Sequence, residues 1–268
     1  MALSPDPGRF LNEVMTPKQE SEDIEADLEK FAQKYTTSLE HDFVVCITDN
    51  PMGMLSFEAL ETIEAVGVPV KPEQLVVHLN AFHRKIDLDR MLGAMAENGV
   101  KYVLAVSGDG NERLHRLEPH ELGMDSVNVT SVELLRYIQR EYPDTFTLGV
   151  AYNHYEPQES EREKMQRKLD AGATFVITQP VIRRSDNVDW LRGLGIPAFV
   201  EAWMTKRIDL VAECVGYELP PEDLDYDPVT NLNLLRQNYA DFGVYMAFLG
   251  MKKQILHLQD ITLPQRAA

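Results

Sequence analysis

The chain has 268 residues, with 26 Lys and Arg against 43 Asp and Glu and a formal charge of −17. That acid surplus argues against a broad surface for a nucleic-acid backbone, although a local basic cluster would still hold one small anion. Cys46 and Cys214 lie far apart without CxxC or His-rich spacing, which fits a reducing compartment and gives no metal site; no apolar run reaches membrane-spanning length, so a soluble, cytoplasmic protein with no membrane partner is expected.

Strand-like and helix-like stretches alternate along the chain. Residues 10–15 read as a first strand, and the acidic stretch 20–34 as a helix with Ile24, Leu28 and Phe31 on one face. A second strand is expected at 42–48, then a helix at 56–66 with Ser56 as its N-cap. The third strand, 75–81, leads to a helix at 88–98 stopped by Gly99. The fourth, 102–106, is followed by a long loop and a helix at 131–141. The fifth, 146–152, precedes a helix at 159–170, for which Gly172 supplies a left-handed stop. The sixth strand, 174–178, and the seventh, 198–203, are separated by a short helix at 187–193, and a further helix is expected at 207–215. Beyond the acidic loop 217–227, the pattern predicts a long helix over 229–249, carrying Phe242, Tyr245, Met246 and Phe248, and an eighth strand at 254–258.

Strand and helix repeated in this way predict an α/β fold, a (β/α)8 barrel in a single domain spanning 1–268 with 1–9 and 262–268 as tails. A doubly wound open sheet is the rival, and the lack of Gly-x-Gly-x-x-Gly after the first strand counts against it.

The expected strands end in Glu13, Thr48 with Asp49, His78 with Asn80, Asp109, Tyr152 with His154, Gln179 and Glu201. In a parallel barrel such ends form the ligand-binding face. Singly, each is better read as an ordinary loop residue, with His78 open to reading as a satisfied core histidine and Glu201 as a solvated rim carboxylate. The set and its order carry the functional reading. Arg167 and Lys168 complement the dipole of the helix they end, or alternatively hold a flavin or nucleotide phosphate.

Several segments stand in a recognisable order: Glu-Val-Met-Thr-Pro-Lys at 13–18, Thr-Asp-Asn-Pro at 48–51, His78-Leu79, Ser-Gly-Asp at 107–109, Val-Ala-Tyr at 150–152, Arg-Lys-Leu-Asp-Ala-Gly-Ala at 167–173 and Ile-Thr-Gln at 177–179. Together they resemble the methylenetetrahydrofolate reductase family over roughly 13–203. The resemblance implies a flavin-bearing (β/α)8 oxidoreductase that interconverts 5,10-methylenetetrahydrofolate and 5-methyltetrahydrofolate. It implies Glu13 as the general acid that protonates N10, Asp109 as the hydrogen-bonding partner of the pterin that stabilises charge at N5, and Gln179 as a residue orienting the folate or the nicotinamide. It further implies that Thr48, His78, Ser107, Gly108, Asp109, Tyr152, Arg167 and Lys168 line the flavin, the last two near its phosphate. The flavin is expected to be FAD, with FMN the alternative; NAD(P)H is left open and no metal is implied.

The chain departs from the family pattern at several points. Ser107 stands in place of an arginine, and 180–184, Pro-Val-Ile-Arg-Arg, replaces a run of phenylalanines. Glu-Ala-Trp-Met at 201–204 replaces Pro-Gly-Ile, the loop after Tyr152 is shorter, and Asp260-Ile261 replaces Asn-Arg. These losses imply a non-standard electron donor, such as an electron-transfer partner protein, or the oxidative direction. The alternative is a flavin-free tetrahydrofolate-binding or methyltransferase subunit working with a methyl-transfer or demethylation partner. Whether copies of the chain assemble is left open.

Overall fold

The structure, a computed structural model, describes residues 3, 10–219 and 225–255. Among them, strands close into a barrel in the order β1 to β8. They are β1 (Phe10–Val14), β2 (Val44–Ile47), β3 (Leu75–Leu79), β4 (Tyr102–Ala105), β5 (Thr147–Tyr152), β6 (Phe175–Pro180), β7 (Ala198–Trp203) and β8 (Gly243–Ala247). The helices are α1 (Ile24–Glu40), α2 (Ala59–Ala65), α3 (Lys85–Glu97), α4 (Ser131–Glu141), α5 (Gln158–Asp170), α6 (Asp186–Asp189), α7 (Asp209–Val215), α8 (Pro228–Asn238) and α9 (Met251–Gln254).

The chain divides into two compact units. One comprises Val14–Val150 and Gln166–Thr174, the other Met1–Glu13, Ala151–Met165 and Phe175–Ala268. In the first, β2, β3, β4 and the start of β5 pair in parallel register: Cys46 with Val76, Val76 with Tyr102, and His78 with Leu104. Side chains alternate faces along a strand. Val77 lines an outer groove of about 620 Å³ with Ile63, Met91 and Met95 of α2 and α3. Its neighbour His78 therefore points to the opposite, inner face. Thr48 follows Cys46 by two residues and is aligned with that inner face. α4 is set by a capping box: the Thr130 hydroxyl accepts from the Val132 N–H at 3.2 Å, and the Glu133 carboxylate accepts from the Thr130 N–H at 3.0 Å.

In the second unit, β6 pairs with β7, β7 with β8, and β8 with β1, all in parallel. Phe199 is in register with Ile177 and with Gly243, and its ring meets Phe175 edge-on with centroids 6.4 Å apart. A Cβ on Gly243 would lie 2.2 Å from the Phe199 ring, so only glycine admits that ring there. Two residues further along, Glu201 is in register with Tyr245, and Tyr245 with Leu11. A bulge in β6 shifts the pairing so that Pro180 stands opposite Glu201.

The structure corrects four expectations. The helix expected over 229–249 is α8, which ends at Asn238 and gives way to β8. Asp227 caps α8 by accepting from the Thr230 N–H at 2.9 Å with Pro228 in the first turn; beyond it, an apolar run of strand length carries too little period to be told from a helix. The eighth strand is thus not at 254–258: Gln254 lies in α9, and 256–258 lie outside the described residues, as do Asp260, Ile261 and the tail 262–268. The N-cap of α2 is Glu58 rather than Ser56, which is buried with its N–H donating to Asn50 Oδ1 at 2.9 Å and its hydroxyl to the Met54 carbonyl at 3.1 Å. The first helix begins only at Ile24 because Asp23 caps it, accepting from the Ala26 N–H at 3.1 Å.

Candidate active site

Polar side chains gather at the C-terminal strand ends of each unit. In the first unit the centre is Asp49. Its carboxylate accepts from the Asn80 N–H at 2.8 Å and from His83 Nε2 at 2.7 Å, while Asn80 Nδ2 donates to the Asp49 carbonyl at 2.7 Å. The Asn80 amide oxygen accepts in turn from the Phe82 N–H at 2.7 Å. Asp49 and His83 are 9% and 10% exposed, so the pair is well desolvated. Burial by itself would pull the His83 ring down; the charge of Asp49 and its hydrogen bond outweigh burial and hold it above the ordinary histidine range. His78, in contrast, is pushed down to about 4 by burial, against the smaller opposing pull of Asp49. It stays neutral at neutral pH.

The loop after β4 carries the other first-unit candidates. Ser107 is exposed and its hydroxyl accepts from the Ser131 N–H at 3.3 Å, at the start of α4. Gly108 takes φ +77, and a Cβ there would meet Asn80 Cβ at 2.7 Å and Asn80 Cγ at 2.9 Å. Asn80 is pinned by its bonds to Asp49 and Phe82 and has no room to retreat. Gly108→Ala is therefore expected to lower unfolding free energy by about 1–3 kcal/mol through left-handed strain and the steric clash. A denaturant midpoint equal to that of wild type would contradict this. Asp109 is exposed, and its carbonyl lies 3.3 Å from where a Gly53 Cβ would be. Thr48 is buried, and its hydroxyl oxygen has no hydrogen-bond partner among the described residues. Arg167 is exposed and Lys168 half-buried in the last turn of α5.

In the second unit Glu13, at the end of β1, accepts a hydrogen bond from the Tyr245 hydroxyl at 2.6 Å on Oε2. Burial pushes the Glu201 carboxyl well above the ordinary carboxylate range, and the charge of Glu13 pushes it further. Part of the Glu201 surface remains accessible. The Glu201 N–H donates to Thr178 Oγ1 at 3.0 Å, and the Thr178 hydroxyl to the Gln179 carbonyl at 2.8 Å, which ties the β6 bulge to β7. Gln179 itself is half-buried. Tyr152 is fully buried; its hydroxyl donates to Gln158 Oε1 at 2.7 Å and its ring stacks on Trp190 with centroids 5.9 Å apart, so the side chain is committed to packing under α5 and α6. His154 is 7% exposed and pushed down to about 4 by burial.

A family profile described as methylenetetrahydrofolate reductase matches residues 10–192. The chain belongs to this family. Among curated relatives it is similar to methylenetetrahydrofolate reductase 2 of Saccharomyces cerevisiae, 28% identical over 122 residues, 42% of this chain and 20% of that protein. It is also similar to methylenetetrahydrofolate reductase 1 of Schizosaccharomyces pombe, 28% identical over 143 residues, 47% of this chain and 23% of that protein. The matched stretches thus span less than a quarter of those relatives' length. Among solved structures it is similar to a dihydropteroate synthase from Coxiella burnetii in complex with pteroic acid, with TM-score 0.51, 12% identity and coverage of 98% of this chain and 93% of that one. A 2,3-dimethylmalate lyase of the PEP mutase/isocitrate lyase superfamily gives TM-score 0.51 and 10% identity, over 96% and 81% of the two chains. At such identities the likeness is one of fold.

The family pattern in the sequence singled out Glu13 as a candidate acid and did not place Tyr245 beside it. Tyr245 was hidden by the expected long helix, and only strand-type reading of 243–247 would have revealed it. His83 lies four residues beyond the end of β3, with no periodic signal to distinguish it from any loop histidine. Glu201 was legible as a strand-end acid, but its packed surroundings do not fit a solvated rim carboxylate.

Proposed function

We propose that the chain is a flavin-dependent oxidoreductase interconverting 5,10-methylenetetrahydrofolate and 5-methyltetrahydrofolate. The observation that carries the reading is the family match over 10–192, which includes Glu13 with its Tyr245-anchored carboxylate and the loop holding Ser107, Gly108 and Asp109.

The residues of the first unit fit a flavin. Among the described residues the buried Thr48 hydroxyl lacks a partner, as a group awaiting a ligand would, and the left-handed φ of Gly108 lets the 107–109 loop pack closely against Asn80 beside it. Thr48, His78, Ser107, Gly108 and Asp109 would hold the isoalloxazine and ribityl portions, with Arg167 and Lys168 near the phosphate; FAD is favoured over FMN. When bound, the flavin would supply the hydride chemistry. The protein's part is acid–base and electrostatic. Glu13 would carry a proton to the N10 leaving nitrogen as the folate ring opens. Asp109 would bind the pterin and offset positive charge developing at N5. Gln179 would orient the folate ring. Tyr152, its hydroxyl already bonded to Gln158, would serve by fixing the end of β5.

The test is direct. The purified protein, incubated with FAD or FMN and desalted, should retain an oxidised flavin spectrum and convert 5-methyltetrahydrofolate in the presence of an artificial electron acceptor. A protein that stays colourless and converts no folate would overturn the reading. On the altered segment after β7, NADH alone is expected to reduce the bound flavin slowly; bleaching within one mixing time by stoichiometric NADH would contradict that.

A further inference from the structure

One carboxylate oxygen of the first unit accepts two hydrogen bonds from the turn after β3. Asp49 Oδ2 takes the Asn80 N–H at 2.8 Å and His83 Nε2 at 2.7 Å. Asp49 is itself fixed: Oδ1 accepts from Asn50 Nδ2 at 3.2 Å, and its carbonyl from Asn80 Nδ2 at 2.7 Å. Between the two anchor points lie Ala81 and Phe82. The Ala81 N–H donates to the Ser107 carbonyl at 3.4 Å, and the Phe82 N–H to Asn80 Oδ1 at 2.7 Å. The Phe82 ring then forms a seat for the loop after β4. A Cβ on Gly108 would stand 3.1 Å from Phe82 Cδ2, and one on Gly110 2.6 Å from Phe82 Cε1. Asp109 is the residue between those two glycines.

We propose that His83 is a positioning residue for Asp109: with Asn80 it clamps the 80–83 turn onto the Asp49 carboxylate, and the Phe82 ring held between them seats the loop that presents Asp109. This rests on the reading of the 107–109 loop as part of the flavin and folate site. Flanking glycines give Asp109 no rigidity of its own, because glycine backbone is the least restricted of all. The order of that loop must therefore come from what it packs on, and a reacting group displaced by about 1 Å loses much of its effect. Asn80 alone pins only the near end of the turn. Without the second bond the far end, with Phe82, is free to swing as the chain enters α3. The His83–Asp49 pair suits this task because the two side chains are only 10% and 9% exposed, so water competes little for the bond.

The experiment compares wild type with His83→Leu, which removes the donor, and His83→Gln, whose amide nitrogen stands the same number of bonds from Cβ as Nε2. First, amide hydrogen exchange is followed on the full chain without flavin. His83→Leu should speed exchange at 80–83 and 107–111 by about tenfold, the worth of one buried hydrogen bond, with β6, β7 and β8 unchanged; His83→Gln should stay near wild type. Second, FAD and FMN affinities are measured by fluorescence quenching. The dissociation constant of the flavin that wild type binds should rise about tenfold in His83→Leu and return to within threefold in His83→Gln. Unchanged exchange at 107–111 in His83→Leu overturns the proposal, and so does a flavin affinity equal in all three proteins. Faster exchange throughout the chain, or equal losses in both variants, would mark His83 as merely structural and also overturn it. Should His83→Leu fail to fold, Phe82→Leu decides, since a smaller seat must loosen 107–111 if the ring holds that loop. Selective loosening of the loop in a protein that binds neither FAD nor FMN would sink the flavin reading and keep the clamp.

Discussion

Glu13→Gln is expected to lower methylenetetrahydrofolate turnover by roughly 10²–10⁴-fold, the usual loss when a positioned general acid is removed. The substitution keeps the shape of the side chain and an oxygen to accept the Tyr245 hydrogen bond, so the fold should survive. Flavin binding should also survive, because the residues proposed to hold it, Thr48, His78 and the 107–109 loop, belong to a compact unit that does not contain Glu13. The expected pattern is therefore a holoprotein with wild-type absorbance and thermal midpoint and almost no folate turnover. Tyr245→Phe should fall between the two, since it removes the orienting donor but leaves the acid. Turnover by Glu13→Gln within a factor of three of wild type would refute the acid assignment and transfer attention to Glu201, the carboxyl two strands away on β7.

The sequence carries the barrel almost completely because its local signals agree with one another. β7 and α4 are bounded in the structure where pattern alone places them, α4 because Thr130 and Glu133 write a capping box into the chain. Agreement fails after α8. There the residues of β8 are apolar on both faces, as a barrel strand under helices must be, and an apolar run has no period to separate strand from helix. The misreading removed Tyr245 from view, and with it the hydrogen bond that orients Glu13. The candidate site was legible to the extent that its residues lie at or near strand ends, as Thr48, His78, Gln179 and Glu201 do. What a sequence does not display is desolvation. Nothing in the letters distinguishes His78, held neutral by packing, from His83, whose pKa Asp49 holds above the ordinary histidine range, although the two are five residues apart.

That contrast sets the second large effect, a steep loss of stability in mild acid. His78 and His154 are both pushed down to about 4 in the folded chain by burial, whereas an unfolded chain protonates histidine near 6.5. Between those values the unfolded state binds a proton that the folded state refuses. Each histidine's contribution is therefore complete above about pH 6.5, declines by about 1.4 kcal/mol per pH unit below it, and amounts to about 3 kcal/mol lost by pH 4. His83 does not add to this slope. Its raised folded value means that its stabilisation is complete below the unfolded pKa and is lost only as pH rises through the folded one. Glu201 works against the histidines. Its carboxyl keeps a proton in the folded state after the unfolded chain has lost it, so acid favours folding through this group. Unfolding free energy from urea titrations should therefore fall between pH 6 and 5, each histidine contributing about 1.4 kcal/mol per pH unit and Glu201 opposing them. His154→Gln should make that slope shallower by about 1.4 kcal/mol per pH unit, and Glu201→Gln should make it steeper. A slope in His154→Gln equal to that of wild type would show that this ring is protonated in the folded protein, and that the packing around it is looser than its 7% exposure implies.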